Sequence, residues 1–302
     1  MRITEALTGS EPVFSFEFFP PKTPEGLDQL FSTVETLRPL EPDYVSVTYG
    51  AGGATRDGTV EIADRIRADH GIEAMAHLSC VGETREGLTT ILDRFAAAGV
   101  QNVLALRGDP PRGETVFSAT EGGLTSAAEL TEFIASNWDF TIGGACFPEV
   151  HPEAGCLEDD LSYLKTKVDA GASFLITQLF FDNAVYWNFV KSAREAGIDV
   201  PIIPGVIPIA SYGQVARICT LCDASIPADL DAAMAALGGD KEAEALLGVA
   251  FASRQCEELL AGGAPGIHFY ALNRAPGTRA VLSALRASRP WDRARPREET
   301  AA

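Results

Sequence analysis

Short apolar runs alternate with longer amphipathic stretches along most of the chain. Eight runs rich in Val, Ile, Leu and Phe have the length and composition of buried β-strands. They are VFSFEF (13–18), YVSVTY (44–49), EAMAHLS (73–79), NVLALRG (102–108), FTIGGACF (140–147), FLITQLF (174–180), VPIIPGV (200–206) and GIHFYAL (266–272). Stretches of helical period lie between them, for example residues 26–37, 59–71, 87–99 and 160–172. This alternation predicts a parallel sheet covered by helices.

Eight strand and helix units without a break in composition favour a closed barrel over an open doubly wound sheet. An open sheet usually has fewer strands, and its first turn normally carries a nucleotide-binding fingerprint. We therefore predict a single α/β domain, a (β/α)8 TIM barrel, over residues 1–288. Residues 207–265 are longer than one crossover and predict one or two extra helices before the last strand. The polar segment 289–302 is expected to be a disordered tail.

Composition narrows the class of partner. A formal net charge of −18 disfavours nucleic acid and favours small molecules. No apolar run reaches the roughly 18 residues of a membrane helix, and the start MRITEALTGSEP has no secretory pattern, which predicts a cytoplasmic protein. The six cysteines are scattered and predict reduced thiols, and the lone pair Cys219 and Cys222 predicts core packing rather than a metal site.

Polar residues stand where most of the predicted strands end. In a parallel barrel these ends form one face, and that face carries the active site. The residues concerned are Glu17, Thr48, His77, Arg107, Gly108, Asp109, Glu149, His151, Gln178, Asn273 and Arg274. A purely structural barrel end would not need these groups, so the pattern favours an enzyme.

Two carboxylates and two histidines are the strongest chemical candidates. Glu17 lies in the apolar run SFEFFPP, where desolvation would raise its pKa and make it a proton donor; the alternative is a buried glutamate paired with an arginine. Asp109 stands before Pro110 and Pro111. It is either a catalytic carboxylate held by this rigid turn, or an aspartate that only stabilises a turn or caps a helix. His151, beside two prolines, is a better functional candidate than His77, because a lone strand histidine is more often a satisfied core residue.

Several common motifs are absent from the sequence. GAGGAT (50–55) lacks the third glycine of GxGxxG and indicates either a backbone that approaches a ligand closely or a flexible loop. There is no HExxH, GxxxxGK[ST] or GxSxG, so zinc protease, P-loop and nucleophile-elbow chemistries have no support. The residues alone indicate a barrel enzyme that uses a carboxylic acid on an anionic or cofactor-bound ligand.

Taken in order, nine segments resemble the methylenetetrahydrofolate reductases. They are FSFEFFPPKT, VSVTYGAGG, AHLSC, ALRGDPP, FPEVHPEA, LKTKVDAGA, ITQLFFD, IIPGVIPI and HFYALNR, spanning roughly residues 13 to 280. The resemblance implies a flavoprotein oxidoreductase on a TIM barrel, of the bacterial type with the catalytic barrel only. It would oxidise NADH or NADPH and reduce 5,10-methylenetetrahydrofolate to 5-methyltetrahydrofolate, a step of one-carbon metabolism that feeds methionine biosynthesis. FAD is the implied cofactor, and a homo-oligomer is the default expectation.

The resemblance also assigns roles to single residues. Glu17 would be the general acid that protonates N10 of the folate, and Asp109 would lie near both flavin and pterin. Gln178 and Gln214 match folate-contacting positions, and Arg274 matches a position near the glutamate tail of the folate. The flavin-binding positions are Thr48, His77, Leu106, Arg107, Gly108, Asp109, Ala127, His151, Asp160 and Lys167.

Three positions depart from the family pattern. Ser126 stands where tyrosine is usual, Phe147 where tyrosine is frequent, and Ile218 where an aromatic side chain commonly stacks on nicotinamide or pterin. Loss of one stacking ring would cost about 1 kcal/mol of binding. Two alternatives therefore stay open: a flavin-independent reductase with direct hydride transfer from NADH, and a folate-binding barrel without redox activity.

Overall fold

The computed structural model describes residues 1–49, 56–109 and 117–293. Its strands are β1 Val13–Phe18, β2 Tyr44–Val47, β3 Glu73–Ser79, β4 Asn102–Leu106, β5 Thr141–Cys146, β6 Phe174–Thr177, β7 Ile202–Ile203, β8 Gly205–Val206 and β9 Gly266–Phe269. All pairings are parallel, in the order β7-β6-β5-β4-β3-β2-β1-β9-β8. Each lies within a predicted run, and the predicted barrel is confirmed.

The seventh barrel strand is broken into β7 and β8 at Pro204. Proline has no N–H to give to a ladder, although its carbonyl still accepts a hydrogen bond from the His268 amide at 3.0 Å. The amide of Gly205 donates to Thr177 Oγ1 at 2.9 Å, and a Cβ on Gly205 would come within 2.4 Å of the Thr177 carbonyl oxygen. This proline and glycine step lets β7 pair with β6 while β8 pairs with β9, which closes the ring.

Helices surround the sheet and follow the predicted amphipathic stretches. They are α1 Ile3–Leu7, α2 Pro24–Leu37, α3 Arg56–His70, α4 Arg85–Ala97, α5 Ala127–Asn137, α6 Leu157–Asp169, α7 Asn183–Glu195, α8 Tyr212–Cys222, α9 Ala228–Ala236, α10 Lys241–Ala261 and α11 Pro276–Ser288. Three of them, α8, α9 and α10, lie between β8 and β9, so the extra helices before the last strand are confirmed. The side chains of Thr23, Thr84, Ser126, Asp182 and Asp240 cap their helices by accepting backbone N–H groups.

The core has an outer layer between sheet and helices and an inner layer inside the barrel. Phe16, Phe18 and Phe269 belong to the outer layer, with the buried faces of the helices. Inside, side chains such as Met75 pack with Ile3 of α1, which is fully buried. The sequence pattern did not predict α1, which closes the amino-terminal end of the barrel. The carboxyl ends of the strands form the opposite end.

The first residues of the predicted tail are folded. The Arg289 guanidinium lies 2.7 Å from carboxylate oxygens of both Asp292 and Glu11. The Trp291 indole N–H donates to Glu11 at 2.9 Å, and its ring lies 5.7 Å from that of Phe14. The polar composition of the segment concealed this aromatic anchor, and the domain bounds 1–288 and 289–302 stay predictions. Residues 294–302 lie outside the described residues, as does the GAGGAT segment at 50–55.

The cysteines, which are all among the described residues, form no disulfide in the structure. All six are free, and Cys219 is buried on α8 with the Cys222 thiol donating to its carbonyl at 3.8 Å. Burial raises the pKa of the Cys219 thiol to about 11. Among the described residues no helix is long and apolar enough to cross a membrane.

The packing of α10 against the loop after β8 can be tested at Gly248. A Cβ there would lie 2.0 Å from the Ile209 carbonyl oxygen, so Gly248→Ala forces backbone to move. We expect a loss of about 2 kcal/mol in the free energy of unfolding, measured by urea denaturation. Gly213→Ala in α8 is the matched control, because a Cβ there meets nothing within 4 Å; we expect a gain of up to about 1 kcal/mol. Equal stability of the two variants would contradict this packing.

Candidate active site at the carboxyl ends of the strands

A buried carboxyl group lies near the carboxyl end of β1. Glu17 of β1 is 6% exposed, and its Oε2 atom is 3.4 Å from Nε2 of His268 on β9. Nε2 of His77 on β3 lies 3.6 Å from the same oxygen. The groups next to Glu17 are therefore imidazoles, not the arginine of the structural alternative. We call these three residues the central triad.

Strand alternation and register assemble the central triad. Phe16 and Phe18 of β1 point to the helices, so Ser15 and Glu17, which alternate with them along the strand, point into the barrel. Ser15 is in register with His268 across the β1 and β9 pair, and its Oγ lies 2.7 Å from His268 Nδ1. This contact fixes the rotation of the imidazole so that its other nitrogen faces Glu17. His268 and Ser15 were not among the predicted site residues.

The charge state of Glu17 differs from the expectation. Burial acts to raise its pKa, but the hydrogen bond from His268 and the charges of His77 and His268 outweigh burial, and the pKa lies below its ordinary value. The expectation of a raised pKa is therefore wrong, because the strand sequence does not reveal which partners face the carboxyl group. Burial lowers the pKa of His77 to about 4, so this imidazole is neutral at pH 7.

A second polar cluster lies beside the central triad, on β4, the loop after β5 and α6. An Asp160 carboxylate oxygen accepts the His151 backbone N–H at 3.0 Å, and the Lys167 ammonium donates to the Ala145 carbonyl at 2.7 Å. Burial is the main cause of both shifts here: it raises the pKa of Asp160 and lowers that of Lys167. Arg107 is held by both carboxylate oxygens of one glutamate. We call this group the lateral cluster.

The glutamate that holds Arg107 is Glu153, which the sequence did not single out. Its oxygens lie 2.5 and 2.6 Å from the two terminal guanidinium nitrogens, and its backbone N–H donates to Nδ1 of His151 at 3.1 Å. The hydrogen bonding that Arg107 donates to the Glu153 carboxylate is the main reason that the pKa of Arg107 is raised. The spacing HPE could have suggested it, since a residue two positions after His151 shares the same turn.

Two glycines and one non-glycine residue with positive φ shape the backbone around the lateral cluster. A Cβ on Gly144 would lie 2.9 Å from Cδ of Lys167, so only glycine leaves the path of that side chain open. Gly108 has φ of +89°, and a Cβ there would lie 2.5 Å from a methyl group of Val81. Val150, between Glu149 and His151, has φ of 72°, an unfavourable conformation for a β-branched residue. Such strain is typical of functional loops.

The other predicted residues lie around the same face. Thr48 and Leu106 are half-buried at the ends of β2 and β4, Ala127 is buried at the start of α5, and Asp109 is exposed next to residues outside the described range. Gln178 follows β6, and its amide oxygen accepts the Leu179 N–H at 2.8 Å.

Gln214 and Arg274 are brought together. Both line one small pocket with Tyr270, between α8 and the loop after β9. Both are exposed. Among the described residues, the predicted flavin positions lie at one side of the carboxyl ends of the strands. This pocket lies at another side, next to β8 and β9.

The family model and the curated relatives point to the same protein family. The model of the methylenetetrahydrofolate reductase family matches residues 2–286. The 5,10-methylenetetrahydrofolate reductase of Escherichia coli (strain K12) is 39% identical over 271 residues, which cover 90% of each chain. Methylenetetrahydrofolate reductase (NADH) 1 of Arabidopsis thaliana is 39% identical over 311 residues, covering 97% of this chain and 52% of the relative. The chain thus spans about half the length of the plant relatives it matches.

Solved structures agree on the fold. A Clostridium thermocellum protein described as binding two copies of 5-methyl-5,6,7,8-tetrahydrofolic acid superposes with a TM-score of 0.63 at 17% identity, covering 96% of this chain and 99% of that one. A 2,3-dimethylmalate lyase superposes with a TM-score of 0.52 at 11% identity, covering 99% of this chain and 88% of that one. These two matches concern the fold alone. The family model and the bacterial relative show that the chain belongs to the methylenetetrahydrofolate reductase family.

Proposed function

We propose that this chain reduces 5,10-methylenetetrahydrofolate to 5-methyltetrahydrofolate with NADH or NADPH, and that Glu17 is the general acid. The observation that carries the proposal is the buried Glu17 carboxyl group, which faces His77 and His268 near the carboxyl end of β1. A glutamate with a purely structural role would be expected to pair with a permanent cation. Imidazole is a common partner in proton transfer, and His268 Nε2 lies 3.4 Å from Glu17 Oε2.

The reaction needs one proton at a defined atom. Opening of the five-membered ring of the substrate breaks the bond between the bridging carbon and N10, and N10 takes a proton as the bond breaks. The product of this step is an iminium ion at N5, whose carbon then accepts a hydride. Glu17 supplies the proton to N10 and becomes a carboxylate.

The central triad also accounts for the return of the proton. Because the pKa of Glu17 is lowered, the carboxyl group does not by itself hold a proton at pH 7. His268 Nε2 lies 3.4 Å from Glu17 Oε2, so a proton on the imidazole can pass to the carboxylate before each turnover. Ser15 keeps the ring in place through Nδ1 during this transfer.

The folate would lie across the carboxyl ends of the strands. Gln178 and Gln214 offer side-chain amides to the polar groups of the substrate, and Asp109, exposed after β4, would contact the pterin. Arg274, exposed at the rim, suits the carboxylates of the glutamate tail. The 2.8 Å bond of Gln178 to Leu179 holds its amide in one orientation.

FAD is the proposed hydride carrier, and the lateral cluster suits it. A bound flavin would take a hydride from the reduced nicotinamide and pass it to the folate. Lys167 is buried and reaches the carbonyl of Ala145 at the end of β5, and Arg107 and His151 lie on the same side. These donors match the phosphates and the polar ring edge of a dinucleotide. Arg107 would share its charge with Glu153, and the remaining predicted flavin positions surround this cluster.

Direct hydride transfer from NADH is the second candidate. Three positions differ from the family pattern, and two of them have no aromatic ring. Ser126 caps α5 by accepting the Glu129 N–H at 3.1 Å, and Ile218 is a half-buried residue of α8. Phe147 does retain a ring, edge-on to His151 with centroids 4.5 Å apart. In this alternative Glu17 keeps its role, while the lateral cluster would have no flavin to hold.

The acid role of Glu17 is tested by Glu17→Gln. The amide keeps the shape of the side chain but cannot donate a carboxyl proton, so folate reduction should fall by about 100-fold or more. NADH oxidation with an artificial acceptor should stay within twofold of wild type. Steady-state assays of both reactions measure this.

Glu244→Gln is the matched control, because Glu244 is as deeply buried, at 8% exposure, and accepts the Tyr212 N–H in a bond that an amide oxygen retains. Loss of both activities in Glu17→Gln would contradict the acid role. Unchanged folate reduction would also contradict it.

The role of His268 in setting the pKa of Glu17 is tested by His268→Asn. The variant removes the hydrogen bond and the positive charge while burial remains, so the pKa of Glu17 should rise above its ordinary value of 4.5. A ¹³C NMR titration of the labelled Glu17 carboxyl group measures the change. His70→Asn, which removes an imidazole paired with the distant Glu35, should leave the titration unchanged. A Glu17 pKa that stays low in His268→Asn would contradict the proposed triad.

A further inference from the structure

The side-chain amide of Asn273 joins the ends of β1 and β9. Its Oδ1 accepts the Phe19 backbone N–H at 2.8 Å, and its Nδ2 donates to the Phe19 carbonyl oxygen at 2.8 Å. One side chain therefore satisfies both polar groups of Phe19, as a neighbouring strand would. The Thr33 hydroxyl on α2 also packs against this loop: its oxygen lies 3.3 Å from the Asn273 carbonyl oxygen and 2.9 Å from that of Gln29.

This contact lies where the β1 and β9 ladder has stopped. The paired register runs from Val13 and Gly266 to Phe16 and Phe269 and ends there. Glu17 is the next residue of β1, so it lies between the last ladder pair and the Asn273 contact. On the other side β1 remains paired with β2 as far as Phe18. Asn273 is thus the described residue that holds β1 to the β9 side beyond Glu17.

The backbone of the loop is shaped for this contact. Leu272 and Asn273 have φ of 50° and 57°, two successive left-handed residues. Asparagine tolerates this conformation, but a leucine in it costs on the order of 1 kcal/mol. The Arg274 N–H closes the turn on the Ala271 carbonyl at 2.8 Å. The turn thus directs the Asn273 amide to Phe19 and also places Arg274 at the rim.

We propose that Asn273 is a positioning residue, whose amide fixes the end of β1 against β9 and so holds the Glu17 carboxyl group in line with His268. The proposal rests on the proposed function for its catalytic consequence. The contact between Glu17 and His268 is already at 3.4 Å, so a small displacement of β1 separates the two groups. A displacement of about 1 Å at a reacting group can cost on the order of 100-fold in rate.

The test is Asn273→Gly, which keeps the left-handed backbone available and removes the amide. We expect kcat for folate reduction to fall by about 10-fold or more while KM for NADH stays within twofold. The Phe19 amide should exchange its hydrogen faster. The pKa of Glu17, measured by ¹³C NMR, should rise towards the value in His268→Asn, because the hydrogen bond that lowers it is lost.

Four titratable side chains among the described residues face Glu17 and can influence its pKa. These are His268 and Tyr270 on the β9 segment, His77 on β3 and Tyr44 on β2. The two tyrosines stay neutral across the assay range, because burial raises the pKa of each. A change in the Glu17 titration of Asn273→Gly therefore reports on the two imidazoles.

Glu41→Gly is the matched control, since Glu41 has φ of 49°, is exposed and lies remote from the central triad. It should match wild type in kcat, Phe19 exchange and the Glu17 titration. If Asn273→Gly does not fold, Asn273→Asp replaces it: this isostere keeps the acceptor for the Phe19 N–H and loses the donor to the Phe19 carbonyl oxygen, so kcat should fall while Phe19 exchange stays near that of wild type.

A folded Asn273 variant with unchanged kcat, unchanged Phe19 exchange and an unchanged Glu17 titration would overturn the proposal. A wild-type protein that fails to reduce folate would instead overturn the proposed function. In that case exchange at Phe19 and the Glu17 titration still decide whether Asn273 positions Glu17.

Discussion

The pairing of β1 with β9 is the constraint on which the rest of the site depends. This pairing joins the first and last strands of the barrel, and its register sets Ser15 beside His268. It needs glycine at position 266, because a Cβ there would lie 2.0 Å from the Val13 carbonyl oxygen. The same register places His268 Nε2 against Glu17, so the strand pairing that closes the barrel also brings these two side chains together.

Unfavourable backbone conformations occur in the loops that carry candidate site residues. Of the described non-glycine residues with positive φ, Glu41, Asp223 and Arg289 cap helix ends, where a left-handed residue is ordinary. Val150, Leu272 and Asn273 instead lie in the loops after β5 and β9. These loops carry His151 and Arg274. The apolar core, whose inner layer closes the other end of the barrel, offsets this local cost.

Sequence pattern was sufficient for the architecture, because strand and helix periods are local. The runs at 13–18 and 73–79 coincide with β1 and β3, and Glu17 was found because a carboxylate in an apolar strand is conspicuous. His268 was missed because it is 251 residues from Glu17, and only the closure of the barrel brings the two together. For the same reason, the sequence could not show that the pKa of Glu17 is lowered rather than raised. Trp291 was missed for a related reason: its partners Glu11 and Phe14 lie at the other end of the chain.

In the proposed function, this barrel passes a hydride from NAD(P)H to a folate through bound FAD. An anaerobic visible spectrum of the purified protein, supplied with FAD, then with NADH and finally with 5,10-methylenetetrahydrofolate, follows this transfer. We expect a flavin band that bleaches with NADH and returns with the folate. A bound flavin that stays reduced when the folate is added would contradict the proposed transfer. No flavin band, with NADH oxidised only when folate is present, would replace FAD by direct hydride transfer.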